Sequence, residues 1–165
     1  ISDGNKKIFM ERNVVVVHSN TKAKATSKVS QGQTFMETIK KGDYFYLCYG
    51  SSIQLLGQFM SESAVENPEM MDGWYEREYR VIARSNNTSS YDGAKKWWTP
   101  NDNSTCIKVD ESDHALFEEL ILRPYFDMGV EELFSGANEP RRYWCFRITW
   151  MEKWAMCLLA MRRIR

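Results

Sequence analysis

The chain of 165 residues is poor in the residues that build metal sites. It has two histidines, His18 and His114, and four cysteines, none of them in a Cys-x-x-Cys pair. Structural zinc sites depend on such pairs and clusters, so none is expected. Cys48 lies in an apolar strand-like run and Cys157 in a helical pattern, positions typical of buried free thiols. These features predict a reducing, cytoplasmic location.

Further absences narrow the function. No apolar run is long enough to span a membrane, so no membrane association is expected. The 22 basic and 22 acidic residues cancel, which argues against nucleic-acid binding by bulk charge but leaves a local basic surface open. No glycine-rich phosphate loop occurs, and Glu76-Arg77-Glu78 does not supply the carboxylate pattern of common metal-dependent nucleases. We therefore expect a binding module without a cofactor, not an enzyme.

What the chain does contain is a high share of aromatic residues, 13% of the total, with six tryptophans. The length predicts one domain over residues 1–165, which would bury about 70% of the unfolded surface in a single core. Because the sequence begins at Ile1, we expect it to be a fragment of a longer protein. Part of the aromatic excess should fill the core, while stacking sites also use Trp and Tyr.

The central pattern is the stretch 42–59, which predicts a β-hairpin. Two runs of aromatic and branched residues flank Gly50-Ser51-Ser52, the small-residue break of a tight turn. A branched run at residues 14–18 predicts a buried strand of the same sheet. Charges on both faces of residues 74–84 predict a strand at a sheet edge or beside a site. The other patterns predict helices at residues 34–41, 110–122 and 150–163, a helical turn within 128–134, and strands at 104–109 and 143–149.

This order of elements predicts an α+β fold, with a curled mixed β-sheet or small open barrel flanked by helices. Four features belong together: the Gly-Asp before the hairpin, the strand ending in Ser19-Asn20, the tryptophan-bearing strand at 74–82, and the KKWW…P…ST segment that begins at Lys95. Together they resemble the PUA-like superfamily, and within it the EVE and YTH domains, over about residues 13–125. EVE-like modules of this kind stand at the front of modification-dependent restriction ATPases.

The resemblance implies a module that holds one modified, methylated base in an aromatic-lined pocket. Readers of duplexes flip that base out of the helix, which costs a few kcal/mol. Stacking on an aromatic ring returns about 1–3 kcal/mol per base, and a buried methyl group adds about 0.8 kcal/mol. The implied partner is DNA with a modified base, with methylated RNA as the alternative, and the implied assembly includes a restriction ATPase or nuclease.

The predicted site combines pocket residues with a row of lysines. The resemblance matches Ser19 and Asn20 to pocket-edge positions of YTH domains, and an Asn amide has the donor and acceptor to read a base edge. Adjacent tryptophans in an extended segment cannot both face the core, so at least one of that pair should be exposed or stacked. The predicted base-binding residues are Ser19, Asn20, Tyr49, Ser51, Trp74, Trp97 and Trp98. The predicted phosphate-binding residues are Lys22, Lys24, Lys28, Lys95 and Lys96.

Each of these candidates has an alternative interpretation. Every candidate tryptophan can instead be a core residue, and the lysine-bearing segment after Asn20 can be a solvated loop or weak helix. Exposed aromatic and methionine side chains can form a peptide groove, and the same barrel can hold a small ligand. A basic surface around the aromatic pocket would favour nucleic acid, whereas an apolar rim would favour a peptide.

Overall fold

The computed structural model describes residues 13–23, 28–66, 73–102, 105–134 and 142–148. Within these residues, seven strands form one sheet in the order β1-β5-β3-β2-β7-β6, with β4 paired to β5. The β2–β7 pair is parallel and the other pairs are antiparallel. The strands are β1 (Val14–His18), β2 (Tyr44–Tyr49), β3 (Ser52–Phe59), β4 (Val65–Glu66), β5 (Trp74–Arg84), β6 (Cys106–Lys108) and β7 (Tyr143–Ile148).

The hairpin predicted at residues 42–59 is confirmed, and it lies in the middle of the sheet. Its turn uses Gly50, whose φ of 61° is a left-handed conformation that glycine adopts without a steric penalty. On one side β3 pairs with β5, and on the other side β2 pairs with β7. Since β1 pairs with β5, the strand at residues 14–18 belongs to the same sheet, as predicted.

The sheet curls strongly into a half-barrel and buries both of its faces. Along β2, Phe45 and Leu47 join a cluster that contains the β1 valines, Phe35 and Cys106 of β6. Because this cluster connects the two outermost strands, it fills the concave side. The alternate β2 residues, Tyr44, Tyr46 and Cys48, pack on the other face against a helix that includes Phe117 and Ile121. The fold is therefore α+β with a curled mixed sheet.

The first helical segment begins earlier than the sequence predicted. It consists of α1 (Gln31–Gln33) and a π-helical turn over Thr34–Thr38, and it packs at the open edge of the half-barrel. The hydroxyl of Ser30 accepts a hydrogen bond from the Gln33 backbone N–H at 3.0 Å and so caps the helix. The predicted range 34–41 with Thr34 as the cap is wrong, because Ser30 caps the segment and the helix ends where Ile39 takes an extended conformation, with ψ of 137°.

The second helical segment runs further than predicted. It passes through a 3₁₀ turn (Glu111–Asp113), α2 (His114–Phe117), a π-helical turn (Glu118–Leu122) and α3 (Arg123–Phe126). The predicted stop at Arg123-Pro124 is wrong, because Pro124 lies where the π-helical turn changes to α3 and the chain stays helical through Phe126. The segment ends at Asp127, which adopts a left-handed φ of 52°.

A short helix, α4 (Val130–Phe134), follows within the predicted 128–134 range. The helix predicted at residues 150–163 lies outside the described residues. In the part of the chain that the structure describes, the helices are too short or too polar to cross a lipid bilayer.

Strand β5 is an interior strand, so the expectation of a sheet edge is wrong. It pairs with β1 and β4 near its start and with β3 further along. The charge on its inner face belongs to Arg77, which is 1% exposed. Its Nε donates to the Phe35 carbonyl at 2.8 Å and its Nη2 to the Met36 carbonyl at 3.1 Å. Burial disfavours the charged guanidinium and lowers the pKa of Arg77. The charge is nevertheless hydrogen-bonded, because two carbonyls at the end of a helix, which have no partner within that helix, accept from it.

Gln31 connects the two ends of the sheet. Its Oε1 accepts hydrogen bonds from the backbone N–H groups of Thr105 and Cys106, both at 2.8 Å. Its Nε2 donates to the carbonyl of Lys22 at 3.0 Å, in the segment that follows β1. One buried amide therefore bridges the gap between β1 and β6, the outermost strands of the half-barrel.

Candidate functional site

A cavity of about 500 Å³ lies where the loop after β5 meets the start of the second helical segment. Its volume falls within the range of about 300–1,000 Å³ that is usual for ligand pockets. We call it the tryptophan cavity. It is lined by Lys95, Lys96, Trp97, Trp98, Asp102, Asp110 and Asp113.

Trp98 forms the fixed floor of the tryptophan cavity. It is 1% exposed, and its Nε1 donates to Oδ2 of Asp113 at 3.0 Å. Its ring meets Phe117 edge to face with 5.8 Å between centroids, and its carbonyl accepts a hydrogen bond from the Tyr46 hydroxyl. Burial raises the pKa of Tyr46 well above its ordinary value, so this hydroxyl stays protonated and donates. Trp98 is therefore held from three directions.

Trp97 is the exposed partner of this pair. It is 54% exposed, so one member of the pair is exposed as predicted, but residues 97–98 lie in a turn and not in the extended segment that the prediction assumed. The turn that carries it is held by Thr99, whose hydroxyl accepts from the Lys96 N–H and donates to the Lys96 carbonyl, both at 2.8 Å. Thr99 itself is fully buried. The indole of Trp97 therefore sits on a well-braced turn at the mouth of the cavity.

The tryptophan cavity carries charges of both signs, and these charges differ in the ion pairs and hydrogen bonds that they make. The ammonium of Lys95 lies 4.0 Å from Oδ1 of Asp102, and Lys96 is exposed. Asp113 accepts from Trp98, as described above. The carboxylate of Asp110 makes no hydrogen bond or ion pair with the described residues. The cavity thus has lysines at its rim and one carboxylate, that of Asp110, without a hydrogen bond or ion pair to the described residues.

The predicted residues Ser19, Asn20 and Trp74 lie together, but in a different place. The ring of Trp74 meets His18 edge to face at 5.0 Å, and the Ser19 N–H donates to the Gly73 carbonyl at 2.8 Å. Trp74 is 8% exposed and belongs to the concave cluster, whereas Trp98 belongs to the cluster on the other face. Trp74 and Trp98 therefore do not wall the same cavity.

The end of β1 is closely packed around Ser19. A Cβ atom placed on Gly32 would come within 2.2 Å of the Ser19 carbonyl oxygen, so only glycine fits there. A Cβ on Gly73 would lie 3.2 Å from Oγ of Ser19. Asn20 is exposed, and its backbone N–H donates to Nδ1 of His18 at 3.0 Å. Among these residues, the Asn20 side chain is the one presented to solvent.

The hairpin residues Tyr49 and Ser51 lie in a third place. Ser51 accepts a hydrogen bond from the Tyr91 N–H at 2.9 Å, and Tyr49 packs against the concave cluster. The strand β3 leads from this turn to Phe59, which pairs with Tyr79, and β5 continues beyond that pair to Trp74. The hairpin turn is therefore at the opposite end of the sheet from Trp74.

The predicted lysines fall into two groups. Lys22 and Lys28 are exposed in the segment between β1 and α1, and Lys24 lies outside the described residues. Lys95 and Lys96 are exposed at the tryptophan cavity. The Gln31 bridge ties the Lys22 carbonyl to Thr105, three residues after the Asp102 of the cavity. Both groups thus belong to chain segments at the open edge of the half-barrel.

The sequence pattern does not single out the aspartates of the cavity. In the sequence pattern, Asp110 and Asp113 are only acidic residues in the first turns of the helix predicted at 110–122, where they suit the helix dipole. Their second role depends on the docking of residues 95–102 against that turn, which no local pattern shows. In the part of the chain that is described, no three His, Cys, Asp or Glu side chains are grouped to hold a metal ion.

Comparison of the chain with protein-family models, curated proteins and solved structures finds no match.

Proposed function

We propose that this chain is a non-catalytic nucleic-acid-binding module that recognises a modified, methylated base extruded from DNA. In this proposal it brings an associated restriction ATPase or nuclease to the modified site. The observation that carries the proposal is Trp97, which is 54% exposed at the mouth of a cavity of about 500 Å³ and stands next to two exposed lysines.

The position of Trp97 supports stacking of a base. An exposed indole offers a flat aromatic face, and a stacked base covers it with a return of about 1–3 kcal/mol. That return is of the same order as the cost of taking a base out of a duplex. The buried Trp98 beneath it gives the cavity a rigid apolar wall, against which a methyl group can be desolvated.

The distribution of charge supports one orientation of the nucleotide. Lys95 and Lys96 lie on the exposed turn, where they suit a phosphate backbone. The carboxylates of Asp102, Asp110 and Asp113 would repel phosphate, so the backbone should stay at the rim. Carboxylates accept hydrogen bonds from the exocyclic amino groups of bases, as Asp and Glu do with cytosine N4. The base would therefore enter the cavity while the phosphates remain outside.

The same charges weigh against a peptide groove. A groove for an apolar peptide should have an apolar rim, but five of the seven lining residues of the tryptophan cavity are charged. The charges therefore favour a nucleic acid over a peptide, and the binding test below distinguishes DNA from RNA.

The test is a binding titration by fluorescence anisotropy with matched labelled oligonucleotides. The probes are DNA duplexes with a single 5-methylcytosine, N4-methylcytosine or N6-methyladenine, their unmodified counterparts, and single-stranded RNA with N6-methyladenine. We expect one modified probe to bind more tightly than its unmodified counterpart. Trp97→Ala should weaken that binding by about 5- to 150-fold, the equivalent of one lost stacking contact.

The matched control is Met60→Ala, which removes another exposed apolar side chain (44% exposed) that does not line the cavity. It should bind as the unaltered chain does. The proposal is contradicted if no probe binds, or if Trp97→Ala and Met60→Ala bind the preferred probe equally well.

A further inference from the structure

A second cavity, of about 350 Å³, opens on the concave side of the sheet near β6. Thr34 and Thr38 line it from the first helical segment, and Lys108 of β6 and Trp144 of β7 line it from the sheet. Asp110 lines this cavity and the tryptophan cavity as well. The two cavities therefore meet at Asp110, and we call the second one the threonine cavity.

The threonine cavity contains polar groups that the fold does not use. Thr34 and Thr38 lie one helical turn apart, and their hydroxyls make no hydrogen bond with the described residues. The Asp110 carboxylate is equally disengaged, as described above. Gln31, by contrast, uses both its Oε1 and its Nε2 to bridge the sheet ends. The cavity thus keeps two hydroxyls and one carboxylate available for a ligand.

The other groups around the threonine cavity give it an aromatic floor and place one lysine at its rim. Trp144 is 1% exposed, and its Nε1 donates to Oδ2 of Asp43 at 3.1 Å. The guanidinium of Arg142 lies 5.9 Å from the centre of its ring. At the rim, the ammonium of Lys108 is 3.9 Å from Glu111, an exposed pair that solvent screens. A fixed aromatic floor, uncommitted hydroxyls and a rim lysine are features of a site for a polar aromatic ligand.

We propose that the threonine cavity is a subsite for the nucleotide next to the modified base, so that the module reads a dinucleotide step. This inference rests on the proposed function of the tryptophan cavity. Because Asp110 lines both cavities, bases in the two cavities would belong to neighbouring nucleotides, and the phosphodiester that joins them would stay outside this carboxylate, at the rim. Threonine hydroxyls both donate and accept, so they can read the edge of a base that stands in the second cavity.

The test uses single-stranded DNA with the preferred modified base, because a single strand removes the cost of flipping. Three probes are compared: one with normal neighbours, one with an abasic site on the 5′ side of the modified base, and one with an abasic site on the 3′ side. For the unaltered chain we expect one of the two abasic probes to bind about tenfold more weakly, the loss of about one base contact. The other abasic probe should bind like the intact probe.

The double variant Thr34→Val, Thr38→Val removes both hydroxyls while nearly keeping the side-chain shape. It should bind the intact probe about as weakly as the unaltered chain binds the sensitive abasic probe, with little further loss on that abasic probe. Such non-additivity is the signature of a direct contact. If the melting temperature shows that the threonine variant is unfolded, the same comparison of variant and abasic probe is made with Asp110→Asn, which lies at an exposed position.

The subsite is contradicted if the unaltered chain binds all three probes equally. It is also contradicted if the losses of affinity caused by the variant and by the abasic site are additive. Trp97→Ala separates the two proposals, because it should weaken all three probes to the same extent. If the unaltered chain binds none of the probes, the proposed function is contradicted, and the subsite that rests on it is contradicted as well. If Trp97→Ala weakens binding but the abasic sites have no effect, the subsite alone fails.

Discussion

Two regions that carry candidate tryptophans differ in what surrounds the indole. At the start of β5, beside the end of β1, Trp74 is 8% exposed and its ring is packed against His18. In the loop after β5, Trp97 is 54% exposed beside an open cavity. The difference shows that a tryptophan in a strand is buried by the neighbouring strand, whereas a tryptophan in a loop is placed by the hydrogen bonds of its neighbours. Thr99 and Trp98 make those bonds here.

The largest expected effect is a difference in unfolding free energy between variants of the two adjacent tryptophans. Trp98→Ala removes a buried indole and leaves Asp113 without its donor, which should cost about 3–5 kcal/mol of unfolding free energy. Trp97→Ala removes an exposed indole and should change it by less than about 0.5 kcal/mol. Urea denaturation of both variants measures the two values. Similar losses at the two positions would mean that Trp97 is a core residue.

A smaller effect concerns the helix that supports the cavity. His114 packs edge to face on Tyr143 at 4.9 Å, and its Nε2 has no hydrogen-bond partner among the described residues. Burial lowers the pKa of His114, outweighing the attraction of Glu111. The unfolded chain then binds the proton first as pH falls through about 6.5, so the folded state loses stability between pH 7 and pH 5. We expect His114→Gln to flatten this slope in chemical denaturation, whereas an unchanged slope would assign it to other groups.

The smallest expected effect is on the salt dependence of binding. It should change when lysines at the rim of the tryptophan cavity are replaced, and not when other surface lysines are replaced. Lys95→Ala with Lys96→Ala should weaken binding to all probes alike and reduce the salt slope by up to about two units, since each phosphate contact contributes about 0.9. Replacing the exposed Lys40 and Lys41, which do not line the cavity, provides the control. A slope that neither double substitution alters would remove Lys95 and Lys96 from the backbone path.

The sequence predicted the strands better than the contacts between them. The 42–59 hairpin follows from apolar runs around a small-residue break, both of which are local signals. Arg77 and Gln31 carry no such signal, because their partners Phe35 and Thr105 lie 42 and 74 residues away. Their burial depends on which carbonyls and amides the completed sheet leaves without partners.

The candidate site shows the same limit. The exposure of one member of the Trp97–Trp98 pair could be predicted from chain geometry, but not which one. The cavity itself arises only when the loop docks against the turn that begins at Glu111, and Asp110 becomes a wall residue at that step. The sequence offers Trp74, Trp97 and Trp98 as candidates without saying which of them share a face, and the structure places Trp74 and Trp98 in different clusters.

The central claim is that a base stacks on Trp97, and the most direct measurement follows the indole N–H signals of the six tryptophans by ¹⁵N-correlated NMR. Single Trp→Phe variants assign the Trp97 and Trp98 signals. On titration with the preferred modified oligonucleotide, the account predicts a large shift of the Trp97 signal and a smaller one for Trp98, which keeps its bond to Asp113. Saturable binding that leaves the Trp97 signal unmoved would contradict the account.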